Sequence, residues 1–165
     1  MYEAVLSLGS NQGDRQGWLE RACEALAACP GIRMAARSPV YETEPVDVHP
    51  EFAEHLYLNR IVIVETGLDP EAFSTAVHEI ERSLGRQRGR SANLPRTIDI
   101  DIITFADRRC DLPHLTLPHP RARQRRFVLQ PLADLRPGLV LPGERRTVAE
   151  LLAELPETPR VTRLG

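Results

Sequence analysis

The stretch Arg96-Thr97-Ile98-Asp99-Ile100-Asp101-Ile102-Ile103 alternates acid with isoleucine, a pattern that few folds can use. Side chains at i and i+2 of a β-strand project from one face. Asp99 and Asp101 are therefore expected side by side, while Ile98, Ile100 and Ile102 enter a core. Aspartate is depleted in strands, and two carboxylates at this spacing repel one another unless a cation lies between them. Hard oxygen ligands in this number suit Mg²⁺, which takes one or two carboxylates and completes its shell with water and substrate phosphates. The pattern predicts a strand buried on one face and carrying a metal site on the other.

The rest of the chain is compatible with a single soluble domain around one such sheet. Its 165 residues are 42% hydrophobic, with mean hydropathy −0.29, enough to bury one sizeable core. No run approaches a membrane span, and Tyr2-Glu3-Ala4-Val5-Leu6-Ser7-Leu8 lacks the basic-then-apolar layout of a signal peptide. The expectation is a cytoplasmic protein with no membrane partner. Cys23, Cys29 and Cys110 have no zinc-site spacing. A net charge of −2 gives no general attraction to nucleic acid.

All 21 basic residues are arginine. The absence of lysine excludes P-loop, protein-kinase and Schiff-base chemistry. Arginine keeps its charge at any working pH, and its planar fork of donors matches phosphate oxygens. Arg82, Arg86, Arg88, Arg90 and Arg96 crowd a glycine-containing stretch, read as a flexible loop, that leads into the double-Asp strand. Arg121, Arg123, Arg125 and Arg126 form a second cluster behind Pro118-His119-Pro120.

Residues 3–9 read as a strand ending in the turn-rich run Gly9-Ser10-Asn11-Gln12-Gly13-Asp14. Leu19, Ala22, Cys23, Leu26 and Cys29 follow at helical spacing, and Pro30-Gly31 stops them. An extended stretch over about 32–43 and a strong strand at 57–66 come next. Asp69-Pro70 then opens a helix carrying Phe73, Val77, Ile80 and Leu84, closed by Gly85. With the double-Asp strand, the order is β-α-β-β-α-β, which predicts an α+β, ferredoxin-like sandwich with an additional C-terminal helical segment. In that segment Phe127, Leu129, Leu132 and Leu135 predict a short helix interrupted at Pro131. Thr147 and Glu150 form a capping box for a last helix, stopped by Pro156.

A carboxylate pair for Mg²⁺ beside two arginine clusters suits phosphoryl transfer, which asks a protein mainly to position groups and neutralise charge. Tyr57 and Phe127, two of eight aromatic residues, lie near Asn59 and Arg125 in the chain and could sandwich a flat heterocycle. A rival reading, an RNA-binding sheet with stacking aromatics, is opposed by Asp99 and Asp101, which would repel a phosphate backbone.

Over residues 2–155 the chain resembles the 6-hydroxymethyl-7,8-dihydropterin pyrophosphokinase family of folate biosynthesis. The resemblance rests on Leu8-Gly9-Ser10-Asn11, Ser38 to Val46, Tyr57-Leu58-Asn59 and Ile80-Glu81 with Gly85-Arg86-Gln87-Arg88. Pro95 to Asp101, Leu117-Pro118-His119-Pro120 and Arg125 to Leu129 complete it, in the family's order. It implies one pyrophosphokinase domain over 1–165 that moves diphosphate from ATP, the co-substrate, to the hydroxymethyl group of a pterin. Asp99 and Asp101 would hold two Mg²⁺ ions, with Asp101 or a metal-polarised environment helping the hydroxyl lose its proton. Arg86 and Arg96 would clamp the transferring diphosphate. Arg88, His119 and Arg125 would hold other ATP oxygens, with Glu81, His78, Ile102 and Thr116 near the nucleotide. Tyr57 and Phe127 would sandwich the pterin, Asn59 would bond its edge, and the backbone at Thr43 and Val46 would read its substituents. The expected partners are small molecules only, and the expected state is a monomer.

The chain departs from the family pattern at Asn93-Leu94, where Trp-Gly is usual, and at Pro120, where Tyr is usual. The Asn93-Leu94 departure motivates one alternative: a paralogous diphosphokinase acting on a different pterin or heterocyclic alcohol.

Overall fold

A computed structural model describes residues 1–45, 56–85 and 98–164. β1 (Tyr2–Ser10) forms the centre of the sheet, antiparallel to β4 (Tyr57–Thr66) on one side and to β5 (Asp99–Phe105) on the other. Beyond β4 lie β2 (Ile32–Arg37) and β3 (Tyr41–Thr43), each paired with a different length of β4. β8 (Val161–Arg163) adds to the outer edge of β3. Among the described residues the fold is thus a mixed α/β arrangement of an antiparallel sheet and four α-helices.

Strand alternation divides the core into two layers. Ala4, Leu6, Leu8, Val62, Val64, Ile98, Ile100 and Ile102 face α1 (Arg15–Ala28) and α2 (Pro70–Ser83), where Leu19, Leu26, Phe73 and Val77 complete the packing. Val5, Ile61, Ile63 and Ile103 face α3 (Arg126–Leu135) and α4 (Val148–Glu154), meeting Val128, Leu129, Leu132 and Leu151. The local signals hold where both partners are near in sequence. Asp69 accepts from the Ala72 N–H at 2.8 Å with Pro70 in the first turn, a cap worth about 1 kcal/mol. Thr147 and Glu150 make both halves of their capping box.

Three expectations need correction. The stretch 32–43 is two strands, because the ladder breaks after the Ser38 N–H, which still donates to the Ile61 carbonyl at 2.8 Å. Pro39 has no N–H to give the ladder, and the Ser38 hydroxyl accepts from the Ile61 N–H at 2.9 Å in place of a backbone carbonyl. Pro131 does not interrupt its helix: α3 runs through it, and the ring is buried beside Val128, Leu129 and Leu132. That burial offsets the one helical hydrogen bond a proline forfeits. Finally, the C-terminal segment is not purely helical. It contains the hairpin of β6 (Cys110–Leu112) and β7 (Leu115–Leu117), and it ends in β8.

Candidate active site

β5 is an edge strand, and its position explains most of the site. Ile98 and Ile100 are fully buried, whereas Asp99 and Asp101 are only half-buried on the opposite face, opposite Gly9 and Ser7 of β1. The expected alternation is present. On the outer edge of β5, the Ile100 N–H donates to the Glu81 carboxyl of α2 at 2.7 Å. Glu81 itself is only 2% exposed. Without it, that edge N–H, lying between the two aspartates in sequence, would be a buried donor with no strand partner. A little further along, the Ile103 carbonyl accepts from the His119 N–H at 2.8 Å and docks the 118–120 segment against β5.

The first turn of α3 supplies positive charge. Arg125, at the N-cap position, places Nη1 4.0 Å from Asp101 Oδ2, and its guanidinium lies 5.4 Å from the centre of the Phe127 ring. His119 is pushed down to about 4 by burial first, then by the Arg125 and Arg121 charges, against the opposing pull of Asp99. Its ring is neutral at pH 7. Because Nδ1 accepts from the Arg121 N–H at 3.2 Å, the proton belongs on Nε2, leaving a neutral donor beside the acids. Between pH 4 and 6.5 the unfolded chain binds a proton here that the folded chain refuses, so this group erodes stability as pH falls through that window. An NMR titration should find the His119 ring changing charge near pH 4, and a midpoint of 6 or above would contradict the environment described here.

The residues expected to hold the acceptor lie on β3 and β4. Tyr57 and Asn59 share the sheet face that packs against α3, the helix whose first turn carries Phe127. Asn59 Nδ2 donates to Thr43 Oγ1 at 2.8 Å, and both residues are buried. Tyr41, opposite Asn59 in the register, donates its hydroxyl to Asp134 of α3. Burial and that carboxylate push the phenol up to about 12, so it remains a donor at any working pH. Arg15, in the first turn of α1, donates to the Leu56 carbonyl at 2.9 Å and pairs with Glu42 at 2.9 Å, holding the end of β3 beside the start of β4. Sequence reasoning did not single out Arg15, Tyr41 or Asp134. Their partners are 27 to 93 residues distant, and no local spacing marks such pairs.

The expected nucleotide residues straddle β5. Asp99, Asp101, His119 and Arg125 gather on the α3 side, whereas Ile102 packs in the layer of α1 and α2. Glu81 and His78 belong to α2, and the His78 ring meets Ser74 Oγ at 3.3 Å. Thr116 lies on β7, whose neighbours Leu115 and Leu117 pack into the same layer as Ile102. Arg86, Arg88, Arg96 and Val46 fall outside the described residues, as do Asn93 and Leu94.

Among the described residues, no group of three or more His, Cys, Asp or Glu side chains is arranged to hold a metal. Two carboxylates without a third protein ligand fit Mg²⁺, which keeps waters and takes the rest of its shell from substrate phosphates. No helix among the described residues is long and apolar enough to cross a membrane.

Paired acids, an adjacent guanidinium and a buried amide-hydroxyl pair on one sheet face are the parts of a phosphoryl-transfer enzyme with a polar, flat acceptor. The family model for 7,8-dihydro-6-hydroxymethylpterin-pyrophosphokinase (HPPK) matches residues 5–137, and the chain belongs to that family. It is 43% identical over 155 residues to the 2-amino-4-hydroxy-6-hydroxymethyldihydropteridine pyrophosphokinase of Methylorubrum extorquens, covering 94% of each chain. The enzyme of the same name from Pseudomonas aeruginosa is 37% identical over 92% of this chain and 90% of its own. The crystal structure of wild-type Plasmodium falciparum HPPK-DHPS with pteroate shares the fold, with TM-score 0.71 at 16% identity over 93% of this chain. This chain spans only 42% of that longer one.

Proposed function

We propose that the protein transfers the terminal diphosphate of ATP to the hydroxymethyl group of 6-hydroxymethyl-7,8-dihydropterin, releasing AMP, in folate biosynthesis. One observation carries this reading: the acidic pair Asp99 and Asp101 shares a sheet face with Tyr57 and the bonded pair Asn59 and Thr43. The chemistry is attack of the substrate hydroxyl oxygen on the β-phosphorus of ATP. The bond from that phosphorus to the oxygen bridging the α-phosphate breaks, and the hydroxyl proton is lost. Bound at the acidic pair, two Mg²⁺ ions would polarise the phosphates and offset their charge.

The chain's own residues do the rest. Asp99 and Asp101 orient the polyphosphate end, with Asp101 placed to favour loss of the hydroxyl proton. Arg125 and the neutral His119 donate to ATP oxygens, and Arg86, Arg88 and Arg96, from the arginine-rich stretch ahead of β5, add positive charge around the transferring group. Glu81, His78, Ile102 and Thr116 serve the nucleoside end across the edge of β5. Tyr57 and Phe127 stack on the pterin, Asn59 bonds its edge, and the backbone of Thr43 and Val46 reads its amino and oxo groups.

The strand order β5-β1-β4, with β2 and β3 beyond, supports a ferredoxin-like reading of the sheet once β2 and β3 are counted as one broken strand. The chain acts as a single domain and a monomer on small molecules, without nucleic acid. Its unpaired Cys23, Cys29 and Cys110 suit a reducing cytoplasm.

Incubation with ATP, Mg²⁺ and the pterin alcohol should yield AMP and the pterin diphosphate in equal amounts. Release of ADP, or AMP formation independent of the pterin, would overturn the assignment.

A further inference from the structure

Gly9 lies on β1 between the two halves of the site, opposite Asn59 of β4 on one side and Asp99 of β5 on the other. Its backbone does not require glycine, since the described glycines with positive φ are Gly13, Gly31, Gly85 and Gly143. A glycine inside a strand weakens it relative to a residue with a side chain. Space is the remaining reason.

A Cβ at position 9 would stand 2.9 Å from Asn59 Oδ1, closer than an unbonded carbon and oxygen approach, and 3.6 Å from Tyr57 Cδ1. Asn59 has nowhere to retreat. Its side chain is short and 3% exposed, and its Nδ2 is tied to Thr43 Oγ1 at 2.8 Å. The two groups nearest the missing side chain are therefore the amide and the ring assigned to the acceptor.

We infer that Gly9 is a positioning residue for the acceptor: its bare Cα lets the Asn59 amide lie across β1 and sets the depth of the floor beside Tyr57. This rests on the functional reading given above. Any side chain at position 9 would turn or lift the Asn59 amide and so weaken capture of the pterin, while the nucleotide, held from β5 and α3, is left alone.

The test is a double-mutant cycle on the full chain with Gly9→Ala, Asn59→Ala and the double variant. Affinity for 6-hydroxymethyl-7,8-dihydropterin is titrated calorimetrically with Mg²⁺ and a non-hydrolysable ATP analogue present, and affinity for the analogue is measured alone. Gly9→Ala should weaken pterin binding by about tenfold or more and change analogue binding by less than about twofold. In the Asn59→Ala background, where the collision partner is gone, the same change should cost less than about twofold. Equal losses in both backgrounds, a parallel loss of analogue affinity, or no loss in the single variant would overturn the inference. If Gly9→Ala does not fold, the double variant should recover folding, and failure to recover also counts against it. Wild-type protein that binds the analogue but no pterin overturns the functional reading and this inference together. Wild-type binding left unchanged by Gly9→Ala overturns this inference alone.

Discussion

Asp101→Asn should lower kcat by about 10³-fold or more while leaving the pterin KM within about threefold of wild type. Asparagine keeps the size and shape of aspartate, and position 101 is half-buried on a strand that is otherwise held by β1, so the fold should tolerate the change. What disappears is one negative charge from a pair with no third protein ligand among the described residues. A magnesium ion bound by one carboxylate and one amide is held less tightly and placed less well. The loss falls on the chemical step, because the phosphates carry their growing charge there. Asp99→Asn should act in the same direction, and in both variants raised Mg²⁺ should recover part of the rate. Steady-state kinetics with each substrate varied in turn check this. An equal loss of kcat and of pterin binding would mean that the acids serve the fold rather than the reaction.

Glu81→Ala should cost about 1–3 kcal/mol of stability and lower kcat by up to about 10²-fold, although its carboxyl is bonded to a backbone amide. Removing it leaves the Ile100 N–H as a buried donor on the edge of β5 without that acceptor. The strand must then shift or admit water, and Asp99 and Asp101 flank the affected residue. Displacements near 1 Å are enough to produce rate losses of that order. Glu81→Gln retains an oxygen acceptor at the same reach, so it should return most of both losses. Chemical denaturation and kcat on the same three proteins decide the matter. A glutamine variant as impaired as the alanine variant would show that the negative charge of Glu81, not its acceptor, is what matters.

What could be read ahead of the structure follows the distance over which each interaction acts. The strand at Tyr57–Thr66, the Asp69 cap and the Thr147–Glu150 box are set by residues within a few positions of one another, and all three are present. The acidic face of β5 was legible for the same reason, since a period of two is a local property. Pro131 reads as a break in the sequence because its burial is a tertiary effect. The step at Ser38 and Pro39 depends on Ile61, and β8 depends on β3, more than a hundred residues earlier in the chain. Gly9 belongs to the Leu8-Gly9-Ser10-Asn11 motif, but its significance depends on the Asn59 side chain across β1. The divided placement of the residues expected near the nucleotide likewise follows from β5 being an edge strand, which the order of elements alone does not establish.

The Arg15 clasp, one guanidinium gripping Glu42 and the Leu56 carbonyl, sets how freely β3 and β4 can move against one another. By tying the first turn of α1 to both strands, it fixes the separation of Thr43 and Tyr57, which are partners in the register of β3 and β4. Substitutions that keep Arg15 and Glu42 can therefore vary the side chains around Asn59 without letting these two strands drift apart.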